Sequence, residues 1–211
     1  MSLTHCFQKL SPWLCAPLNR IGRAYLEAHL ELVSADSVHS LDLLIAEYHN
    51  SPVEQRRLRM QQEILRDAMM RGGSSQAVRE AYVNAFGGLV LALPAWLLEL
   101  EQVFLLQPVN GWTERGVALC KLRLRDAIQE AEKAELAPEI MAELHYQLAG
   151  FFATCSLEHS ANIARTAINA YQLSGQIYTA SRYPQQYRKI QAALEHVTTW
   201  LPDVYLCNGL N

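Results

Sequence analysis

Apolar residues recur at intervals of three or four along almost the whole chain, and no other sequence feature constrains the fold as strongly. Leu41, Leu44, Ile45 and Tyr48 show this spacing. It matches the 3.6 residues per turn of an α-helix, so these side chains share one side of the helix. The strict alternation typical of a half-buried strand is almost absent, and residues 89–93 are the one ambiguous stretch. The sequence therefore predicts an all-α fold.

Prolines, glycines and small polar residues mark the predicted helix ends. Ser51-Pro52 is a start signal, with Ser as the N-cap and Pro in the first turn. The helix that follows should end at Gly72-Gly73. Thr113 opens another helix, which runs to about residue 134. Its apolar stripe contains the following residues: Leu119, Leu122, Leu124 and Ile128.

The turn Val109-Asn110-Gly111 indicates a domain boundary. Residues 1–110 would form an N-terminal helical region, which could be a cap, a bundle or degenerate repeats. Residues 111–211 would form a more regular helical array. The most apolar run, Phe86–Leu98, is too short for a bilayer span of about 20 residues and is interrupted by Pro94. We expect it to be a buried core helix, and we expect no membrane association.

Composition narrows the class of protein. Half of the 211 residues are hydrophobic, which is enough for a sizeable core. The net charge of −3 favours neither nucleic acid nor an anionic membrane as a general partner. The five cysteines are odd in number and form no CxxC pair, so a disulfide framework is not expected and a reducing cytoplasm is.

A repeat is visible in the C-terminal half. Pro138 and Pro184 stand 46 residues apart, and each occupies the predicted start of a helix. A leucine follows each proline ten residues later, at Leu148 and Leu194. A fixed period of this length is typical of stacked helical hairpins, because one hairpin cannot bury its apolar faces alone. The period therefore predicts two equivalent hairpins.

The residues of this repeat resemble a known family. The segments 167–172, 177–179, 183–187 and 191–194 resemble the second helix, the loop and the next first helix of a long-period tetratricopeptide repeat, as in bacterial and notably cyanobacterial proteins. Residues 138–152 resemble another first helix. The sequence departs from the family pattern at Glu195, where Gly or Ala is usual, and at His145, where a large apolar residue is usual. The resemblance covers about residues 111–202 and implies a short α-solenoid of stacked antiparallel hairpins.

The resemblance also implies a function. Such solenoids usually present a concave groove, lined by the first helix of each pair, that holds a peptide or a partner helix. Mapped onto this chain, the groove would carry five residues: Glu143, Tyr146, Gly150, Lys189 and His196. A plain solvated helix face is the alternative. We therefore expect a non-catalytic adaptor or scaffold that binds a protein, needs no cofactor, and belongs to a larger complex or a homo-oligomer.

A helical-bundle enzyme or a ligand-binding or metal-binding sensor is the first alternative function. It would use the N-terminal half, where His29, His39 and His49 follow at intervals of ten. Only Asp36 precedes a histidine by three residues, and that pair is predicted to lie in a loop, so no metal site is expected. In the C-terminal half, Cys155 and His159 are four residues apart. They are better explained as an inert buried thiol beside a surface histidine.

An arginine cluster suggests the second alternative, a nucleic-acid-binding accessory subunit. It includes Arg56, Arg57, Arg59 and Arg66. Acidic residues are interleaved with the cluster, so a salt-bridged, solvated helix face is the simplest interpretation. Without stacking aromatics, nucleic-acid binding is not expected, although an acidic patch on a protein partner would suit these arginines.

Overall fold

The structure is a computed structural model, and it describes residues 3–16, 19–48, 50–99, 113–154 and 161–201. All regular elements in these ranges are helices, which confirms the predicted all-α class. None of the helices described is long and apolar enough to span a membrane. The chain forms two compact units, which divide between Ala92 and Leu93. The boundary predicted near Gly111 lies outside the described residues.

Unit 1 contains five α-helices and two short 3₁₀ turns within the described ranges. The α-helices are α1 (Leu3–Leu14), α2 (Asn19–Ala28), α3 (Ala35–Glu47), α4 (Pro52–Met70) and α5 (Ser75–Phe86). The 3₁₀ turns are Leu30–Leu32 and Gly88–Val90.

Local chemistry explains where several of these helices begin and end. Ser74 caps α5, since its hydroxyl accepts a hydrogen bond from the Ala77 amide at 3.1 Å. Pro52 is the first residue of α4, as predicted, although the Ser51 side chain makes no capping bond. The stop after α4 is also confirmed, because Gly72 and Gly73 both have positive φ angles (97° and 67°), which glycine adopts without steric cost.

Unit 1 is a closed arrangement of its five helices. In this ring α1 packs against α2 and α3, α2 against α5, and α4 against both α3 and α5. Each helix therefore has two main neighbours, and the buried apolar side chains lie in the shared interior. The side chains that are almost fully buried in this interior include Trp13, Leu26, Leu65 and Val78. This organisation is a bundle rather than an open row of hairpins.

The prediction that the run from Phe86 to Leu98 is one buried core helix is wrong. Helix α5 ends at Phe86 because Gly87 has a φ of 85°, outside the helical region. A single 3₁₀ turn follows, and a new helix begins only at residue 95, after Pro94. The apolar composition of this run correctly indicated that Val90 and Leu97 are buried. It did not determine that the run would form one continuous helix.

Within the described residues, unit 2 contains the helix that begins at residue 95 and four helices that follow it, α6 (Glu114–Lys133), α7 (Pro138–Thr154), α8 (Ala161–Ile177) and α9 (Pro184–Thr198). Thr113 caps α6, and Pro138 and Pro184 are the first residues of α7 and α9, all as predicted. Consecutive helices pack together, α6 with α7, α7 with α8, and α8 with α9. Two helices therefore do begin 46 residues apart, at Pro138 and Pro184. Their stacking as a tetratricopeptide-like solenoid remains a prediction.

Helices α7 and α9 bury equivalent positions on one face. Ile140 and Leu144 of α7 are buried, and so are Gln186 and Ile190, which stand 46 residues later in α9. Helix α7 has a second buried face because it lies between α6 and α8. Helix α9 has only one buried face, and the residues on its opposite face are exposed to solvent.

Candidate protein-binding face

Helix α7 was expected to line an open groove, but most of its surface is covered. Beyond Pro138, none of its described residues is fully exposed. Its composition explains this, because a helix that is apolar nearly all round is stable only when neighbours cover it on several sides. The predicted groove residues of α7 must therefore be considered with their neighbours rather than as a free surface.

Glu143 does not lie on an open face. Its side chain is buried, with 6% of the residue exposed. The Tyr178 hydroxyl donates a hydrogen bond to Glu143 Oε2 at 3.1 Å and the Gln147 amide donates one to Oε1 at 2.9 Å. A buried carboxylate needs such donors, because burial without them costs several kcal/mol, on the order of 2–7 for a polar group and more for a charge. Glu143 therefore connects α7 to the end of α8, and its assignment as a partner-contacting residue is corrected.

A second carboxylate, Glu139, anchors the α8–α9 connection. It lies in the first turn of α7, where the helix dipole favours a negative charge. Its Oε1 accepts a hydrogen bond from the Tyr183 hydroxyl at 2.7 Å and lies 3.2 Å from the Arg182 guanidinium. Its backbone carbonyl oxygen lies 3.0 Å from the Tyr178 hydroxyl, which shares its single proton between this oxygen and Glu143. We call Glu139, Glu143, Tyr178 and Tyr183 the hairpin anchor, since they fix the start of α9 against α7.

Tyr146 and Gly150 face α8 rather than open solvent. The Tyr146 ring lies 5.6 Å from the ring of Tyr171, and a Cβ on Gly150 would lie 4.0 Å from the Tyr171 hydroxyl. Burial raises the pKa of Tyr171 to about 12. Burial, followed by the charge of Glu143, also raises the pKa of Tyr146. Both phenols therefore stay protonated near neutral pH, so neither can serve as a general base there.

Helix α9 provides the open surface. Lys189 and His196 are exposed, two turns apart on the same side, and their part in a groove stays a prediction. Arg188, Ala192 and Glu195 are exposed on the same side, and we call these five residues the α9 face. The face carries two permanent positive charges and one negative charge, with a small residue at its centre. The hairpin anchor fixes Tyr183, the residue before α9, against α7.

The arginine cluster on α4 lies in solvent, as expected. The residues Arg56, Arg57, Arg59 and Arg66 are all exposed. Arg57 pairs with Glu54 at 2.8 Å and also donates to the carbonyl oxygen of Leu14, and Arg66 lies 3.6 Å from Asp42. The acids interleaved with the cluster thus partly neutralise it, and exposed pairs of this kind contribute at most about 1 kcal/mol each.

The two histidines of the N-terminal series that the structure describes, His29 and His39, lie in different segments of unit 1. His29 stacks on Tyr25 at 4.2 Å, with its Nδ1 2.9 Å from the Tyr25 carbonyl oxygen. His39 is exposed and lies inside α3, not in a loop as predicted, because Ser34 caps that helix before Asp36. Within the described ranges, no three His, Cys, Asp or Glu residues are grouped as a metal site would need. His49, Cys155 and His159 lie outside the described residues.

Sequence reasoning did not identify the hairpin anchor. Its tyrosines and carboxylates are separated by 35 to 44 residues along the chain, so no local spacing links them. The one available signal is that Tyr178 and Tyr183 stand on either side of a turn, where a buried hydroxyl needs a distant acceptor. Comparison of the whole chain with known proteins gave no match to a family model, to a curated protein or to a solved structure.

Proposed function

We propose that this protein is a non-catalytic adaptor whose tetratricopeptide-like C-terminal unit binds another protein through the α9 face. The observation that carries the proposal is the one-sided burial of α9. Its apolar side is packed against α8, whereas Arg188, Lys189 and His196 are presented to solvent on the other. A rigid helix with an open, mixed polar face is a common means of recognising a partner segment.

The charge of the α9 face indicates the chemistry of the partner. Arg188 and Lys189 outnumber the single acid, Glu195, and His196 adds positive charge when protonated. A complementary surface would therefore carry Asp or Glu residues around a small apolar contact at Ala192. The hairpin anchor supports this role, since it keeps α9 in place before binding and so reduces the entropy lost on association.

A quantitative affinity capture tests the proposal. The wild-type chain, a Lys189→Ala/His196→Ala variant and a Lys133→Ala control are used as baits under identical conditions. Lys133 is an exposed lysine at the end of α6, away from the α9 face. Proteins retained by wild type and control should fall about tenfold with the double variant, as loss of about 1.4 kcal/mol of binding would give. Equal recovery of the same proteins by all three baits would refute the role of this face.

The recovered partner then provides a stricter measurement. Its affinity for the purified chain is titrated at several salt concentrations. Charge complementarity predicts weaker binding as salt rises, with a smaller salt dependence for the double variant. Binding without any salt dependence would contradict an acidic partner segment.

A further inference from the structure

Two leucines occupy the middle of the solvent face of α6. Leu119 and Leu122 are 48% and 56% exposed. The buried face of the helix lies on its opposite side and contains Val117, Cys120, Leu124, Ala127 and Ala131. The stripe predicted from sequence was therefore wrong for Leu119 and Leu122, which turn away from the interior. Two exposed leucines one turn apart form a small apolar strip, and an apolar strip with a charged border is the kind of surface that a partner can cover.

A positive charge precedes the two leucines on α6, and a negative charge follows them. Arg115, one turn before Leu119, and Asp126, one turn after Leu122, are both exposed on this side of α6. The four residues follow one another at intervals of four, three and four, which places them in a single row along the helix. Neither charge has a salt-bridge partner among the residues that the structure describes.

This row is complementary to itself when one copy is reversed. Rotation by a two-fold axis between Leu119 and Leu122 places Leu119 against the partner subunit's Leu122. The same rotation places Arg115 against the partner subunit's Asp126, and Asp126 against the partner subunit's Arg115. We propose that a second copy of this chain docks here, through antiparallel pairing of the two α6 helices, to form a two-fold symmetric dimer.

The residues beside the row allow two helices to approach. In the reversed pairing, Arg123 lies near the partner subunit's Ala118, and Arg125 lies near the partner subunit's Gly116. Both of these positions are small, so no like charges oppose each other there. Lys121 and Arg125 are also drawn to the side of α6 that faces α7, because each lies over the Phe152 ring, at 4.3 Å and 5.7 Å from its centre.

The same charges discriminate against parallel pairing. A parallel dimer would bring Arg115 against the partner subunit's Arg115, and Asp126 against the partner subunit's Asp126. In the antiparallel dimer, two attractive pairs between Arg115 and Asp126 take the place of these two repulsive pairs. Dimerisation through α6 is separate from partner binding through α9, so each proposal can fail without the other.

Reciprocal charge reversal tests the pairing. The mass of the full chain is measured by light scattering over about 1–200 µM, a range that brackets a micromolar dissociation constant. Wild type should shift from one to two copies of the 23.8 kDa chain. Arg115→Asp and Asp126→Arg should each weaken self-association about tenfold or more, since both attractive pairs become repulsive. A 1:1 mixture of the two variants should recover wild-type association, because every pair is then attractive again.

Two controls complete the experiment. Leu122→Gln should abolish association with little change in the melting temperature, because 56% of that residue is exposed to solvent. Lys189→Ala/His196→Ala should associate like wild type. A wild-type chain that stays monomeric at all concentrations overturns the proposal. So does a dimer that tolerates both charge reversals, or a mixture of the two that fails to associate.

Discussion

Tyr183 donates a hydrogen bond from its hydroxyl to the carboxylate of Glu139 at 2.7 Å, across 44 residues of sequence, and both side chains are buried. This contact joins the residue before α9 to the first turn of α7. It gives the open α9 face a second fixed support, because α8 is the helix against which α9 mainly packs. The pair therefore connects the stability of unit 2 to the surface that we propose for partner binding.

Removing this hydroxyl should destabilise the protein. Tyr183→Phe removes a hydrogen-bond donor from the buried Glu139 carboxylate, which costs about 1–3 kcal/mol even though Arg182 stays nearby. Tyr187→Phe is the matched control, since Tyr187 is half-buried and lies one turn later, in α9. Chemical denaturation of both variants measures the free energy of unfolding. A Tyr183→Phe variant as stable as the control would show that the anchor contributes nothing.

Two glycines should respond in opposite ways to alanine. A Cβ at Gly22 would lie 2.9 Å from the Tyr82 hydroxyl and 3.4 Å from Trp13, two buried side chains that hydrogen-bond to each other. Gly22→Ala should therefore cost about 1–3 kcal/mol through overpacking. A Cβ at Gly175 would meet only Ile190, at 3.9 Å. Gly175→Ala should stabilise α8 by up to about 1 kcal/mol, because alanine is the better helix former.

Thermal unfolding of these two variants provides the comparison. The expected result is a lower melting temperature for Gly22→Ala and an equal or higher one for Gly175→Ala. Equal losses in both would contradict the packing at Gly22.

Arg23 should matter far more than Arg79, although both bind Glu27. Arg23 is buried, with its guanidinium 2.5 Å from Glu27 and 3.1 Å from the Val90 carbonyl oxygen. Its removal takes the buried partner away from the largely buried Glu27 carboxylate and leaves the exposed Arg79, so Arg23→Ala should cost about 3 kcal/mol, the lower end for breaking a buried pair. The Arg79 side chain is 51% exposed, and Arg79→Ala should cost less than about 1 kcal/mol. Urea titrations of the two variants measure this difference, and similar losses would argue against the buried role of Arg23.

His145 should make the protein less stable in mild acid. Burial lowers the pKa of its imidazole in the folded state, and the nearby charge of Glu132 only partly opposes this effect. The unfolded chain therefore binds a proton first as the pH falls below about 6.5, the ordinary histidine pKa. Folding stability due to this group is complete above that pH and declines below it.

His145→Leu removes the titrating group and should flatten the pH dependence of the melting temperature between about 5 and 7, the range in which histidine changes charge. His39→Leu is the control, because His39 is exposed. If both variants keep the wild-type pH profile, His145 is not the source of the acid sensitivity.

Sequence predicted the helix starts well because they depend on local chemistry. The helices at Pro52, Pro138 and Pro184 begin where proline fixes φ, and Thr113 caps its own helix as expected. The family resemblance put Lys189 and His196 on one side of a helix, and both are exposed on α9, whereas their place in a groove stays a prediction.

The sequence-based predictions that were wrong concern side chains whose surroundings come from residues distant in the sequence. Leucines surround much of α6, so spacing alone did not reveal that Leu124 is buried while Leu119 and Leu122 are exposed. A carboxylate is normally placed in solvent, and the hydrogen bond from the Tyr178 hydroxyl, 35 residues away, helps to make the burial of Glu143 possible. Such pairings follow from the assembled fold, which periodicity does not encode.

The ring of helices in unit 1 has a consequence for how proteins of this architecture can change in length. An open row of hairpins can gain or lose a repeat at its end, because the terminal face accepts one more of the same kind. A ring has no end, and an inserted hairpin would have to separate two helices that already bury each other. Unit 1 should therefore tolerate variation in its loops but not in its number of helices.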